Sequence, residues 1–184
     1  MRTRGRAVVA TPPLGSGPQH EPKPMHLYPF SSENHANIVR AFNARLWAVK
    51  PWPKSPIEVG RKTRARRMPV GAVGILYSKQ AHSFTVPFVV ESPPDTTRQI
   101  TDVWPGTWVL PFSIRPLGEP GLLVRVEEAK RRWSFLEGCK NLGQQMPLSG
   151  AASFASKSIP HEDWDVILGD LASKAANVAV DASA

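Results

Sequence analysis

The spacing of apolar positions along the stretch Ser31–Val49 predicts two consecutive elements. A pair of serines provides a helix N-cap, and Ile38, Phe42 and Leu46 follow at spacings that line one apolar helix face. The helical pattern gives way to Trp47-Ala-Val, which is typical of a strand. We therefore predict a short helix, followed directly by a strand that begins near a large, flat tryptophan ring.

Two later apolar runs predict a β-hairpin. Val70–Ser78 and Phe84–Val90 are rich in β-branched and aromatic residues, and a short polar segment separates them. Pro87 has no backbone N–H to donate, so the second strand should lie at an edge or carry a bulge. Further short strands are expected at His26–Phe30, Ile100–Trp104 and Trp108–Arg115.

Two more helices are predicted in the C-terminal half. Val124–Leu136 has apolar residues at helical spacing and a basic face. Pro160, followed by acidic residues, is typical of a helix start. Residues 1–25 are expected to form a disordered basic tail, residues 173–184 a flexible tail, and residues 26–172 the folded domain.

The order of these elements favours an α+β fold, because strands and helices do not alternate as they do in a doubly wound sheet. We expect a small, curved, mixed or antiparallel sheet that closes toward a partial barrel, with helices packed around it. The chain has 184 residues, of which 41% are hydrophobic, which suits one compact domain plus tails.

The charge balance indicates a polyanionic partner. The formal net charge of +8 favours binding to nucleic acid. The single cysteine, Cys139, excludes an intramolecular disulfide and is typical of a reducing compartment. No apolar run approaches the roughly 20 residues that a membrane span requires, so we expect a cytoplasmic protein with no membrane partner.

The sequence carries no recognisable catalytic or metal-binding motif. One cysteine and five dispersed histidines do not form a known metal site. The segment Gly71–Gly74 lacks the Gly-Lys-Ser/Thr ending of a phosphate-binding loop, and no Gly-x-Ser-x-Gly motif is present. We therefore expect a binding protein with no catalytic residues, metal or cofactor, and not an enzyme.

Several short segments resemble those of a known family and occur along the chain in the same order as in that family. The first is a polar helix start with a tryptophan ten residues after its last asparagine, formed by Ser32, Asn34, His35, Asn37 and Trp47. The later segments are Gly74–Lys79, Trp108–Leu117, Arg131–Ser134 and Ser156–Trp164. Together they resemble the YTH and EVE domains, modified-base readers of the PUA-like superfamily, and the resemblance implies a PUA-like fold.

The resemblance also implies a pocket for a modified base. In YTH readers the first segment ends in a tryptophan of the aromatic cage, and further cage aromatics come from the region of Trp104 and Trp108. The resemblance therefore implies that Trp47, Trp104 and Trp108 sandwich the base, the alternative being that the last two are ordinary sheet aromatics. The candidate polar residues of this pocket are Asn37, Asn34, Ser32, Ser78 and Glu33. Trp52, in a proline-rich segment, is interpreted as a plug at the edge of the core, the alternative being a lid over a site.

Glu33 departs from the YTH pattern, which has an asparagine at this place. A carboxylate only accepts hydrogen bonds, and it could accept from the amino group of cytosine. Methylated cytosine therefore stays open beside methylated adenine. EVE domains also occur beside restriction and defence proteins, which favours DNA over RNA and suggests a separate nuclease or modifying enzyme as a partner.

Basic residues are candidates for contacts with phosphate groups. The segment Glu58–Pro69 contains almost nothing apolar and is interpreted as a loop, either phosphate-binding or simply solvated. The candidates are Arg61, Lys62, Arg64, Arg66, Arg67, Lys79, Arg131 and Arg132.

We therefore predict a nucleic-acid-binding module that flips a modified base into an aromatic pocket. The alternative is a PUA-like RNA-binding module, without an aromatic cage, that acts with a separate RNA-modifying enzyme. A third hypothesis is a small-ligand-binding protein that uses the same pocket. Substitution of Trp47 separates the first two, because only the first predicts a large loss of binding.

Overall fold

The computed structural model describes residues 25–53, 55–118, 121 and 123–181. Within these residues, nine strands form a mixed sheet. The strands are β1 Met25–Ser32, β2 Leu46–Val49, β3 Val73–Ser78, β4 Ser83–Thr85, β5 Phe88–Val90, β6 Gln99–Ile100, β7 Trp108–Pro116, β8 Leu123–Arg125 and β9 Lys157–Ile159. The α-helices are α1 His35–Ala44, α2 Ser55–Arg67, α3 Val126–Arg132, α4 Leu142–Gln145 and α5 His161–Asp181. The predicted α+β fold is confirmed.

The sheet has the strand order β2-β7-β5-β3-β1-β9. Strands β1 and β3 are parallel, with Leu27 opposite Val73 and Ser32 opposite Ser78. A parallel pair requires a crossover connection, and here α1, β2 and α2 provide it. The other pairings are antiparallel, and β4, β6 and β8 lie off the main path.

The segment from β1 to β2 folds largely as the pattern predicts. Ile38 and Phe42 of α1 are buried, and Trp47 is the second residue of β2. The N-cap is Asn34 and not a serine, because the Asn34 side chain accepts a hydrogen bond of 2.8 Å from the backbone N–H of Ala36.

The prediction of a loop at 58–69 is wrong, because Ser55–Arg67 form helix α2. Arginine and lysine are good helix formers, and a proline is tolerated in the first turn. Glu58 in the first turn and the arginines of the last turn complement the helix dipole. The helix has no apolar stripe, so the hydropathy pattern does not indicate it.

The predicted hairpin is confirmed, with its second strand divided. Strand β3 pairs with β4 and β5, and Val86 and Pro87 separate these two short strands. The strand expected at Ile100–Trp104 is reduced to β6, and the helix expected at Val124–Leu136 begins only at Val126, after β8. The predicted helix start after Pro160 is confirmed, and α5 continues to Asp181.

Strand β7 carries a bulge beside the tryptophans. Trp47 lies opposite Phe112 but Val49 lies opposite Val109, so β7 has one residue more than β2 between these pairs. Leu110 lies within the bulge and has φ 56°, in the left-handed region that a branched side chain rarely adopts. Bulges redirect neighbouring side chains, and this one lies two residues from Trp108.

The aromatic rings of β1, β2, β5 and β7 form the centre of the core. Phe30 lies 5.5 Å from Phe112 and 6.2 Å from Trp47 between ring centroids. Trp133 is also buried, as its position on the apolar face of the predicted helix indicates. No helix in the described part of the chain has the length and apolarity needed to cross a membrane. Residues 1–24, nearly all of the predicted N-terminal tail, and residues 182–184, the last three of the predicted C-terminal tail, lie outside the described residues.

Candidate functional site

A cavity of about 550 Å³ opens where the end of β1 meets the start of α1. Strand β2 and the loop that follows it form one side, and the segment 147–153 forms another. The apolar lining consists of Pro29, Phe30, Trp47, Ala48, Val49, Pro51, Trp52, Pro53, Ile57, Trp108, Pro147 and Leu148. We call this cavity the tryptophan pocket.

Two of the three predicted cage tryptophans line the tryptophan pocket. The rings of Trp47 and Trp108 meet edge to face, with centroids 6.2 Å apart and planes inclined at 68°. Trp47 is 1% exposed and Trp108 is 5% exposed. Both rings are therefore fixed by the core and present only a small part of their surface to the cavity.

Trp104 lies behind this pair and does not line the pocket. Its ring centroid is 4.8 Å from that of Trp108 and 6.0 Å from that of Trp47. Its indole Nε1–H donates a hydrogen bond of 2.8 Å to the backbone carbonyl oxygen of Asn37. The structure therefore gives Trp104 a supporting position, in which it connects the aromatic cluster to helix α1.

Three of the predicted polar residues, Ser32, Glu33 and Asn37, line the pocket. The Ser32 hydroxyl donates to the backbone oxygen of Asn34 at 2.8 Å, so it is already engaged. The Asn37 side-chain oxygen accepts a hydrogen bond of 3.2 Å from Arg40 at the surface. The internal hydrogen bond of the Asn37 side chain is therefore longer and more exposed than that of Ser32.

Glu33 lies at the mouth of the pocket. Its side chain is 80% exposed and forms an ion pair of 2.6 Å with Lys79, which also lines the pocket. Exposed pairs of this kind contribute little to stability. The pair places one charge of each sign where a ligand would enter.

The structure places Asn34 and Ser78 away from the tryptophan pocket. Asn34 caps α1 and faces a separate shallow groove beside Gln80. Ser78 is fully buried, and its hydroxyl oxygen accepts from the backbone N–H of Ala81 at 3.1 Å. Both side chains serve local structure.

Lys50 adds a positive charge beside the aromatic wall. Its ammonium nitrogen lies 5.8 Å from the centroid of the Trp108 ring, over the ring, in cation–π geometry. Lys50 is exposed and lines the pocket. Since its stem is long and flexible, a ligand could displace the ammonium from Trp108 without any change in the backbone.

Arg61, predicted as a phosphate contact, is buried in the wall of the tryptophan pocket with 1% exposure. One terminal nitrogen forms an ion pair of 3.1 Å with Glu58, and the other donates to the backbone oxygen of Lys50 at 2.9 Å. Burial lowers the pKa of the Arg61 guanidinium, and the Glu58 carboxylate opposes this effect. Arg61 therefore fixes the loop after β2 to helix α2.

Arg64 connects the same helix to the other side of the pocket. Its guanidinium donates to the backbone oxygens of Ala151 and Ser153. With Arg61, it makes α2 a brace between the loop after β2 and the segment 147–153. Neither arginine is free on the surface to contact a phosphate group.

The remaining basic candidates lie on two different helices. Arg66 and Arg67 are exposed and Lys62 is partly exposed on α2. Arg131 is exposed on α3, and Arg132 forms an ion pair of 2.8 Å with Asp170. Helix α2 borders the pocket and α3 does not, so Lys62, Arg66 and Arg67 are the helical cations nearer to the pocket along the fold.

The sequence pattern favours the core edge over a lid for Trp52, whereas the structure places this residue in the wall of the pocket. The available signal was a tryptophan between two prolines directly after the strand that carries Trp47. The segment 147–153 was not identified as part of a site, because its contact with the pocket depends on tertiary packing alone. Among the described residues, no group of three or more His, Cys, Asp or Glu is placed to hold a metal ion.

Comparison with known proteins identifies the fold. No protein-family model matches the chain, and no curated protein matches its sequence. The solved YTH domain of Pho92, in complex with m6A, aligns with a TM-score of 0.50 and 14% identity, over 86% of this chain and 91% of that chain. The Toxoplasma CPSF4-YTH domain aligns with a TM-score of 0.47 and 15% identity, over 81% and 86% of the two chains.

A third solved structure, the YTH domain-containing protein mmi1 with RNA, aligns with a TM-score of 0.43 and 14% identity, over 59% of this chain. This chain spans 64% of the length of that structure, slightly less than two thirds. At these identities the similarity establishes architecture alone. The chain has a YTH-like α+β fold.

Proposed function

We propose that this chain is a nucleic-acid-binding module that reads a modified base in the tryptophan pocket. One observation carries the proposal: a cavity of about 550 Å³ has three tryptophans in its wall and an asparagine at its side, in a chain of net charge +8. A cavity of this volume lies within the usual range for small-molecule and cofactor sites. The Pho92 structure holds m6A, so 6-methyladenine is one of the bases to test.

The proposed mechanism is removal of one nucleotide from its stack and insertion of its base into the pocket. Stacking of a base on an aromatic side chain contributes on the order of 1–3 kcal/mol. A methyl group in a dry pocket adds about 0.8 kcal/mol. Because this difference alone gives less than tenfold discrimination, hydrogen bonds to the base edge must supply the rest.

Asn37 is the proposed reader of the base edge. Its amide offers two donors and an acceptor, which matches either adenine or cytosine. The backbone oxygen of Asn37 accepts the hydrogen bond from Trp104, so this bond fixes the backbone position of the residue. We propose that Ser32 and Glu33 contact the nucleotide at the mouth, while Asn34, Ser78 and Trp104 act indirectly.

The nucleic-acid backbone would lie across the exposed cations of α2. Each Lys or Arg that neutralises a phosphate contributes about 0.9 to the slope of log K against log salt for duplex DNA. Lys62, Arg66 and Arg67 are the proposed phosphate contacts, with Lys79 at the mouth and Arg131 and Arg132 as a second group on α3. This surface positions the chain, and the pocket gives selectivity.

The proposed role is binding, and any chemistry on the nucleic acid would come from a separate nuclease or modifying enzyme. The resemblance to EVE domains favours DNA as the polymer, whereas RNA belongs to the alternative of a PUA-like RNA-binding module. Both polymers therefore enter the test on equal terms.

A second candidate function is an RNA-binding module without a base-reading pocket. The observation in its favour is the burial of Trp47 and Trp104, which are 1% and 2% exposed and therefore act as core residues. This candidate uses only the basic surface, and it predicts binding that depends on salt but not on base modification.

The experiment is a binding panel with the wild-type chain. Matched DNA and RNA strands would carry one 6-methyladenine, one 5-methylcytosine or neither, and dissociation constants would be measured at two salt concentrations. We expect one modified strand to bind at least about tenfold tighter than its unmodified match. Equal binding of all strands with strong salt dependence would favour the second candidate, and no binding at all would favour a small-ligand protein.

A further inference from the structure

We propose that Trp52 is a ligand-contacting wall of the tryptophan pocket and that helix α2 positions it. The inference rests on the proposed function and extends it to a residue outside the segments that resemble YTH or EVE domains. The class of ligand is a flat purine or pyrimidine ring with a small apolar substituent.

The position of Trp52 is defined by its neighbours in the chain. Pro51 and Pro53 flank it, and each proline ring fixes its own φ and so restricts the path of the loop. The side chain is half-buried and lines the cavity together with Trp47 and Trp108. An aromatic ring held in this way offers a flat surface with little loss of conformational freedom on binding.

Gly150 has no side chain, and the Trp52 ring occupies the space where a side chain at this position would lie. A Cβ atom at Gly150 would lie 3.0 Å from Cζ3 and 3.6 Å from Cε3 of Trp52. The ring therefore rests directly on the backbone of the segment 147–153. An alanine at 150 would require the Trp52 ring to move by a few tenths of an ångström, so this substitution shifts the ring without removing it.

The indole Nε1–H groups of Trp52 and Trp47 have no hydrogen-bond partner among the described residues. Buried donors without partners are rare in folded proteins and call for an explanation. Both nitrogens are covered in this arrangement, so a ligand would contact the rings and not the indole N–H groups.

Helix α2 holds both sides of this contact. Arg61 donates to the backbone oxygen of Lys50, two residues before Trp52, at 2.9 Å. Arg64 donates at 3.0 Å to the backbone oxygen of Ser153, three residues after Gly150. Arg61 and Arg64 are therefore positioning residues, and their charges are used inside the protein.

The surroundings of Trp52 decide the kind of substituent. Pro51, Pro53, Ile57, Pro147 and Leu148, which line the same cavity, are all apolar. A charged substituent would lose its hydration against these groups. A methyl group would instead bury apolar surface, so we infer a methylated base.

The test compares Trp52→Ala, Trp52→Phe and Gly150→Ala with the wild type, using the modified strand that the wild type prefers and its unmodified match. Gly169→Ala is the control, because a Cβ atom at this position of α5 has nothing within 4 Å. Thermal unfolding of each variant shows whether the fold is retained. The preserved ring in Trp52→Phe keeps the test usable if Trp52→Ala does not fold.

We expect Trp52→Ala to weaken binding of the modified strand by about tenfold, within the range for one stacked base, and the unmodified strand by less than about twofold. Gly150→Ala should reduce the preference, Trp52→Phe should retain part of it, and Gly169→Ala should retain all of it. A wild-type preference that persists in Trp52→Ala and Gly150→Ala would overturn this inference and leave the proposed function intact. Absence of any preference in the wild type would overturn both.

Discussion

The indole N–H of Trp104 donates its hydrogen bond to the backbone oxygen of Asn37, over 2.8 Å. The resemblance to YTH domains implies that Trp104 contacts the base. In the structure, Trp104 instead fixes the backbone of Asn37, the residue that we propose reads the base edge. The ring packs between this contact and Trp108, which lies 4.8 Å away. Selectivity at the pocket should therefore depend on a residue that does not line it.

Trp104→Phe tests this dependence. The variant keeps an aromatic ring but removes the donor, and a lost hydrogen bond of this kind costs about 0.5–1.5 kcal/mol of stability. We expect a loss of that size in chemical unfolding, together with a several-fold weaker preference for the modified strand. Trp133→Phe is the matched control, because Trp133 donates to Asp170 at 3.3 Å and does not line the pocket. Equal effects of both variants on the preference would contradict the role of Trp104.

The salt dependence of binding tests the assignment of the phosphate contacts. Arg66→Gln and Arg67→Gln should each lower the slope of log K against log salt by about 1, and should weaken all strands alike. Arg115→Gln is the control, since its guanidinium is paired with Glu91 at 2.9 Å on another part of the surface. An unchanged slope in both α2 variants would exclude this helix as the backbone-binding surface.

Glu33→Gln tests the charge at the mouth of the pocket. The Glu33–Lys79 pair is exposed, so the free energy of unfolding should change by less than about 1 kcal/mol. Removal of the carboxylate should tighten binding of every strand at low salt, because it repels phosphate. A selective loss for cytosine-containing strands would instead place Glu33 at the base edge, where its carboxylate accepts from the cytosine amino group.

Asp95 gives a prediction for the pH dependence of folding. Hydrogen bonds from the Thr97 side chain and from the backbone N–H groups of Thr97 and Arg98 lower the pKa of the Asp95 carboxyl. A depressed pKa means that this contribution to stability is complete above the unfolded value, about 3.9, and disappears as pH falls through the folded value. Carboxyl NMR titration should give a midpoint below about 3.9, and Thr97→Ala should raise it. An Asp95 midpoint that Thr97→Ala leaves unchanged would contradict this account.

The sequence was most informative where periodicity and burial agree. Ile38 and Phe42 mark one face of α1 by their spacing, and Trp47 follows as a strand residue, which is how the structure places them. Helix α2 has the opposite character, because packing of Ala65 and the buried Arg61 replaces an apolar stripe. A helix of that kind looks like a charged loop in a hydropathy pattern.

The second side of the pocket could not be predicted for a different reason. Gly150 lies about a hundred residues from Trp52 in the chain, and no periodic pattern connects the two. Their contact arises because Arg61 and Arg64 hold both segments to one helix. A local pattern can identify a candidate aromatic, but tertiary packing decides which aromatic lines the cavity.

The central claim concerns ligand contact with particular tryptophans, and the indole N–H signals report on it directly. The chain has six tryptophans, so a ¹⁵N-labelled sample should give six such signals in a two-dimensional NMR spectrum. We predict that titration with the preferred modified strand shifts the signals of Trp47, Trp52 and Trp108 far more than the unmodified strand does. The Trp133 signal should respond equally to both strands, because its N–H donates to Asp170, which is paired with the proposed phosphate contact Arg132. Identical shifts of the three pocket signals with both strands, or shifts confined to backbone amides of α2, would contradict a base-reading pocket.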